Sequence, residues 1–276
     1  MIPPEFDYVA VDTLEEALLA LRDEDAKVLA GGHSLLPLMK LRLAAPAKLV
    51  DIRKVPGLRG AQRDNGEWKI GALTRHADLQ GKAELGPLGQ ATALIADQQV
   101  RNRGTIGGSL AHGDPASDLP TVLLACEGSV TVAGDGGARE IAAADLFQDY
   151  LTTAVGDGEV LTEVRVPDFD GWGSSYIKFT RRAEDWAMVA VCAMVKKAGD
   201  GSFEDVRIAL TNMGSTPLRA SAAEDALRGK GADAIAAAAE QAAEGTDPPG
   251  DLNASPDYKR HLARVLTRRA LEEAAA

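Results

Sequence analysis

Two pairs of adjacent glycines constrain this chain most tightly. Gly31-Gly32 stands in the run Ala30-Gly31-Gly32-His33-Ser34-Leu35, and Gly107-Gly108 in the run Thr105-Ile106-Gly107-Gly108-Ser109. A residue without a Cβ lets two backbones, or a backbone and a ligand, approach more closely than any other residue permits. Backbone N–H groups exposed in this way, ahead of a helix, can bind phosphate oxygens. Ser34, Thr105 and Ser109 add hydroxyl donors. Either run alone reads equally well as a tight turn. Together, each with small hydroxyl residues, they suggest a diphosphate held from two sides.

The chain around them divides into three parts. Residues 1–54 read as a β-α-β unit: Thr13 caps a helix with the apolar stripe Leu14, Ala17, Leu18 and Leu21, and strands follow at 26–30 and 48–52. A helix follows the first glycine run, with Pro37 in its first turn. Residues 55–172 are β-rich with short helices. Asp64-Asn65-Gly66 signals a hairpin, 87–97 suits a helix, 101–118 reads as a glycine-rich loop, and a helix over 119–127 precedes strands at 129–133 and 159–167. Residues 173–276 give three strands and then alanine-rich helices over 221–229, 231–243 and 259–276. The expected class is α+β.

Other chemistries fail on spacing. There is no GxGxxG, no GxxxxGK[ST] and no GxSxG, and His33, His76, His112 and His261 never fall at i, i+4. Cys126 and Cys192 stand far apart, without the ligand spacing of a zinc or iron–sulfur site, and read as small buried hydrophobes. A net charge of −11 disfavours nucleic acid and anionic membranes as partners. No apolar run approaches the roughly 20 residues of a membrane span, and no secretory leader is evident. The chain reads as cytoplasmic, without a metal of its own.

These residues resemble the two FAD-pyrophosphate motifs of the flavoprotein (medium) subunit of carbon monoxide dehydrogenase, one of the xanthine dehydrogenase-type molybdenum hydroxylases. The likeness continues through Asp114-Pro115 and Ser117-Asp118-Leu119-Pro120 and covers nearly the whole chain. It implies a two-part PCMH-type FAD-binding domain, 1–54 and 55–172, followed by a flavoprotein C-terminal domain with a three-stranded sheet and helices, 173–276. It also implies that Ala30, Gly31, Gly32, His33, Ser34 and Leu35 bind the FAD diphosphate from one side, and Thr105, Ile106, Gly107, Gly108 and Ser109 from the other.

By the same resemblance, Asp118 accepts hydrogen bonds from ribityl or ribose hydroxyls, and Leu161 contacts the adenine end or the ring. Lys178 lies at the isoalloxazine edge, where a cation stabilises negative charge on the reduced ring. Trp186 stands where the pattern has a tyrosine beside the flavin, and Ser109 where an asparagine is common. No catalytic residue is expected on this chain. The implied partners are a large molybdopterin-binding subunit and a small [2Fe–2S] subunit, in a dimer of heterotrimers. The external acceptor would be quinone, NAD, a cytochrome or O2. The alternative is a stand-alone FAD-dependent oxidase with His33 as the flavin tether.

Overall fold

The first part of the chain carries its apolar residues in short blocks separated by turns, and these blocks assemble into a small parallel sheet. In the computed structural model, which describes residues 2–276, the order is β1 (Asp7–Ala10), α1 (Leu14–Ala20), β2 (Ala26–Leu29), α2 (Leu35–Lys40) and β3 (Lys48–Asp51). The strands lie in the order β1-β3-β2, with β3 parallel to both neighbours. The expected β-α-β unit thus gains an edge strand, β1. Most of its side chains are exposed, so no alternation announces it. The Tyr8 hydroxyl donates to Asp51 at 2.6 Å and ties this edge to β3. Thr13 caps α1 as expected, accepting from the Glu16 N–H at 3.1 Å.

The second part opens with the expected hairpin, β4 (Ala61–Asp64) and β5 (Glu67–Gly71). Asn65 and Gly66 take φ of 50° and 83°, as a tight hairpin turn of this hand requires. Five short helices follow: α3 (His76–Leu79), α4 (Pro87–Ala93), α5 (Gln98–Arg101), α6 (Ile106–His112) and α7 (Asp118–Ala125). Then come β6 (Ser129–Gly134), β7 (Gly137–Ala142), α8 (Ala143–Leu146), β8 (Phe147–Asp149), β9 (Thr152–Thr153) and β10 (Val160–Pro167). The main sheet runs β4-β5-β10-β6-β7, antiparallel throughout. Two expectations change here. The helix expected over 87–97 stops at Ala93, and Ala96 turns the chain with φ 41°. The loop expected over 101–118 contains α6.

The third part is a four-stranded antiparallel sheet of β11 (Trp172–Phe179), β12 (Val189–Lys197), β13 (Phe203–Thr211) and the two-residue β14 (Leu218–Arg219), which joins the expected three. The helices α9 (Ser221–Leu227), α10 (Ile235–Ala239) and α11 (Pro256–Ala274) follow. Strand β12 shows why the sheet holds both neighbours. Val189, Val191, Ala193 and Val195 pack in the core that α11 supplies through Leu262, Leu266 and Ala270. Ala190, Cys192 and Met194 share a core with Leu119, Val122 and Ile70 of the second part. A period of two therefore buries both faces. Burial pushes the Cys192 thiol up to about 12 and raises Cys126 as well, so both are inert apolar fillers. Among the described residues, no helix is long and apolar enough to cross a membrane.

Candidate functional site

The first glycine run is the turn from β2 into α2. Gly32 has φ +81°, a backbone region costly for any residue with a Cβ, and a Cβ there would also press on Leu36 Cδ1 at 3.0 Å and Leu29 Cδ1 at 3.2 Å. Ala30 ends the strand side of the turn, and Leu35 opens α2 and packs against the small core of Leu29, Met39 and Leu49. The carbonyls of Gly32 and Ser34 accept from Leu36 and Leu38, so the helix uses them. The N–H groups of Gly31, Gly32, His33 and Ser34 are different. Among the described residues, none of these four donates to a protein acceptor.

The second run is built the other way round. Thr105 is the N-cap of α6, its hydroxyl accepting from the Gly108 N–H at 3.2 Å. Ile106 N–H donates to Thr74 O at 3.0 Å, Gly107 N–H to Ala72 O at 2.9 Å and Ser109 N–H to Thr105 O at 3.0 Å. These amides are spent inside the fold, so the two runs differ in what they can offer a ligand. Gly107 serves packing instead: a Cβ there would lie 2.5 Å from the Ala72 Cβ. Ala72 in turn donates to Thr162 O at 2.9 Å, beside Leu161. The Leu161 side chain lies in the core of the second part, and its backbone pairs with Val132 of β6, so the side chain is not available to a ligand in this structure. What the second run offers outward is the Ser109 hydroxyl, 2.9 Å from that of Ser117.

The two runs meet. A Cβ on Gly31 would sit 2.5 Å from the Arg103 carbonyl oxygen and 2.9 Å from Gly104 Cα, and one on Gly108 would lie 3.9 Å from the Ala30 Cβ. Only glycine permits this seam. Four undonated amides beside it form a cradle suited to anionic oxygens, so the residues present fit one end of a dinucleotide diphosphate.

His33 is exposed in the run, while His76, at the start of α3, is buried beneath the seam against Gly104. Burial, with lesser contributions from His33 and Arg101, pulls His76 down to about 4, and its Nδ1 has no protein partner. The unfolded chain takes up this proton near its ordinary 6.5, before the folded one does. Stability should therefore fall as pH drops from about 6.5 to 4, by up to about 3 kcal/mol. Urea unfolding across that window should show the slope, and His76→Gln should flatten it. Asp51 is held down at about 2 by Arg53 and Tyr8 against the cost of burial, and its stabilisation is lost only below pH 3.8.

A second cluster lies between the second and third parts. Asp118 opens α7, and its Oδ1 accepts from the Tyr176 hydroxyl at 2.6 Å. Its Oδ2 accepts from Lys178 Nζ at 2.9 Å, with both side chains 4% exposed. Lys178 also donates to Leu94 O at 3.1 Å, just past α4. Burial pushes the Asp118 carboxyl up, and the Lys178 charge together with the two hydrogen bonds opposes that. The cation expected at the ring edge is therefore paired with Asp118 in this structure. Gln90 of α4 completes the join: its Oε1 accepts from Tyr176 N–H at 2.8 Å and its Nε2 donates to Ser174 O at 3.2 Å. It thereby caps the open edge of β11. Tyr176 and Gln90 carry no sequence motif, and only the alternation of β11 places Tyr176 on the same strand face as Lys178. Trp186 is 56% exposed and lines a cavity of about 810 Å³ with Asp114, Tyr150, Arg181 and Asn212. Among the described residues, no group of three or more His, Cys, Asp or Glu is placed to hold a metal ion.

Residues 4–169 match the family described as the FAD binding domain in molybdopterin dehydrogenase, and 174–274 match the CO dehydrogenase flavoprotein C-terminal domain. The carbon monoxide dehydrogenase medium chain of Hydrogenophaga pseudoflava is 43% identical, over 99% of this chain and 98% of that one. The glyceraldehyde dehydrogenase medium chain of Sulfolobus acidocaldarius is 37% identical over the full length of both. Among solved structures, quinoline 2-oxidoreductase from Pseudomonas putida 86 superposes with a TM-score of 0.94 at 35% identity, covering 100% of this chain and 98% of that one.

Proposed function

Because the chain belongs to the FAD-binding medium subunits of carbon monoxide dehydrogenase- and xanthine dehydrogenase-type molybdenum hydroxylases, we propose that it passes electrons from a [2Fe–2S] partner to an external acceptor. It is an oxidoreductase subunit, and its cofactor is FAD. Bound FAD supplies the electron-carrying chemistry, and the protein supplies its position and electrostatic surroundings. The amides of Gly31, Gly32, His33 and Ser34 would hold the diphosphate. The Ser109 hydroxyl would add a contact from the other side, with Thr105 and Ile106 fixing the turn. Asp118, whose carboxylate oxygens can each accept a second hydrogen bond, would take sugar or ribityl hydroxyls. Lys178 and Trp186 would border the ring.

The observation that carries this reading is the seam between Gly31 and Arg103-Gly104, with four amides left free beside it. The partners we propose are a large molybdopterin-binding subunit and a small [2Fe–2S] subunit, in a dimer of heterotrimers. We place the substrate's binding site off this chain. Relatives named for carbon monoxide, glyceraldehyde and 6-hydroxypseudooxynicotine resemble it at 43%, 37% and 40% identity, so likeness to this chain does not sort by substrate. The division at about 54 and 172 is likewise a proposal; it assigns the parallel sheet, the main antiparallel sheet and nearly all of the last sheet to separate units. The tethered-oxidase alternative is not favoured, since both ends of the chain align with multisubunit relatives.

The visible spectrum of the complex isolated through this chain tests the reading. Flavin and iron–sulfur bands should appear together, and flavin on a partnerless chain would refute it. If Trp186 covers the ring, Trp186→Ala should alter the rate of reoxidation by added acceptors severalfold at unchanged FAD content. Parallel loss of both would make Trp186 a structural residue only.

A further inference from the structure

We infer that Arg103 supplies the positive charge that faces the FAD diphosphate, an assignment that rests on the FAD reading of the two glycine runs. Amide dipoles alone leave much of a diphosphate's charge uncompensated, and the chain around it carries −11 overall. Neither run contains a lysine or arginine. The helices behind them have only six and seven residues, so their dipoles add little. The compensating cation has to come from a neighbouring element.

Four cations stand on the segments joined at the site, Lys178, Arg101, Arg75 and Arg103, and the first two are already engaged. Lys178 is paired with Asp118. Arg101 donates to Gln80 Oε1 at 2.7 Å and to the carbonyls of Ile95 and Ala96 at 2.7 and 3.0 Å, so its guanidinium holds the α4–α5 turn. Of the other two, Arg103 is the one at the seam. Its carbonyl is the wall against which Gly31 packs, which fixes its backbone there. Its side chain is exposed, and among the described residues no carboxylate pairs with it. Its charge is nonetheless felt inside the first run. His33 is lowered first by burial and then by Arg103, with Asp97 pulling the other way. An unpaired guanidinium anchored at the junction, two residues ahead of Thr105, is placed to meet an anion bound there, and its planar donors suit phosphate oxygens.

FAD titration of the full apo chain at low and high ionic strength tests this. Arg103→Gln should weaken FAD binding about tenfold to a hundredfold and flatten the salt dependence, and Arg103→Lys should recover most of the loss. In the apo protein, Arg103→Gln should also raise the pKa of His33 in an NMR titration, since a neighbouring cation is gone. Arg75→Gln is the comparison, because Arg75 is, among the described residues, a second unpaired cation beside Thr105 whose charge does not act on His33, so its loss should matter little. Unchanged FAD affinity in Arg103→Gln, or an equal loss in Arg75→Gln, overturns the assignment while leaving the FAD reading intact. A wild-type chain that takes up no FAD would overturn both.

Discussion

Gly31→Val should give a chain that folds over most of its length and carries little FAD. The added Cβ falls 2.5 Å from the Arg103 carbonyl oxygen and 2.9 Å from Gly104 Cα. Both neighbours are backbone, and Gly104 is itself pinned by buried His76. Relief requires the two runs to separate, which opens the seam and misaligns the four amides. Overpacking of this kind costs about 1–3 kcal/mol. The larger effect is on binding, since a diphosphate held from both sides loses one of them. The flavin-to-protein ratio should drop at least tenfold, with far-ultraviolet circular dichroism retained. Gly199→Ala is the control, because a Cβ there meets nothing within 4 Å and its φ is not positive. Full flavin content in Gly31→Val would remove the seam from the account of binding.

Lys178→Met should be the most destabilising single substitution in the cluster at the join. It leaves Asp118 buried with a single hydroxyl partner and removes the donor to Leu94 O. Breaking a buried pair by deleting one member costs about 3–5 kcal/mol, mostly the penalty of a stranded charge. Lys178→Met with Asp118→Asn should regain over half of that, because the carboxylate is then gone. The loss should also depend on pH. An unpaired buried Asp118 takes up a proton at a pH above its unfolded value of 3.8, so the variant's deficit should shrink on acidification. Urea unfolding at pH 7 and pH 5 measures both. A deficit that is small and independent of pH would mean that Lys178 and Asp118 are solvated rather than paired.

Much of the fold can be read directly from local pattern. The hairpin at Asn65-Gly66, the Thr13 cap, strand β12 and the order of strands and helices in the third part follow from rules spanning a few residues. Where such rules mislead, a longer-range contact or a weak pattern is responsible. Alanine content favours a continuous helix over 231–243, yet α10 covers only Ile235–Ala239 and is followed by turns, a difference with no single contact to explain it. The last helix begins at Pro256 rather than Lys259 because Ser255 caps it, accepting from Tyr258 N–H at 3.2 Å. Strand β7 is exposed along most of its length, so nothing in its composition sets it apart.

The two glycine runs, the chemistry they suit and the resemblance that points to FAD are all legible in the order of the residues. How the runs divide the work is not, because that depends on the packing of distant segments. The amides of the first turn meet no acceptor where it packs against Arg103 and Gly104, while those of the second are consumed by Thr74, Ala72 and Thr105. Tertiary structure also decided that Lys178 meets Asp118 across 60 residues, and that Tyr176 meets Gln90 across 86. Propensity and periodicity act over a turn or a strand. Which amide finds an acceptor, and which charge finds a partner, is settled only when distant segments pack.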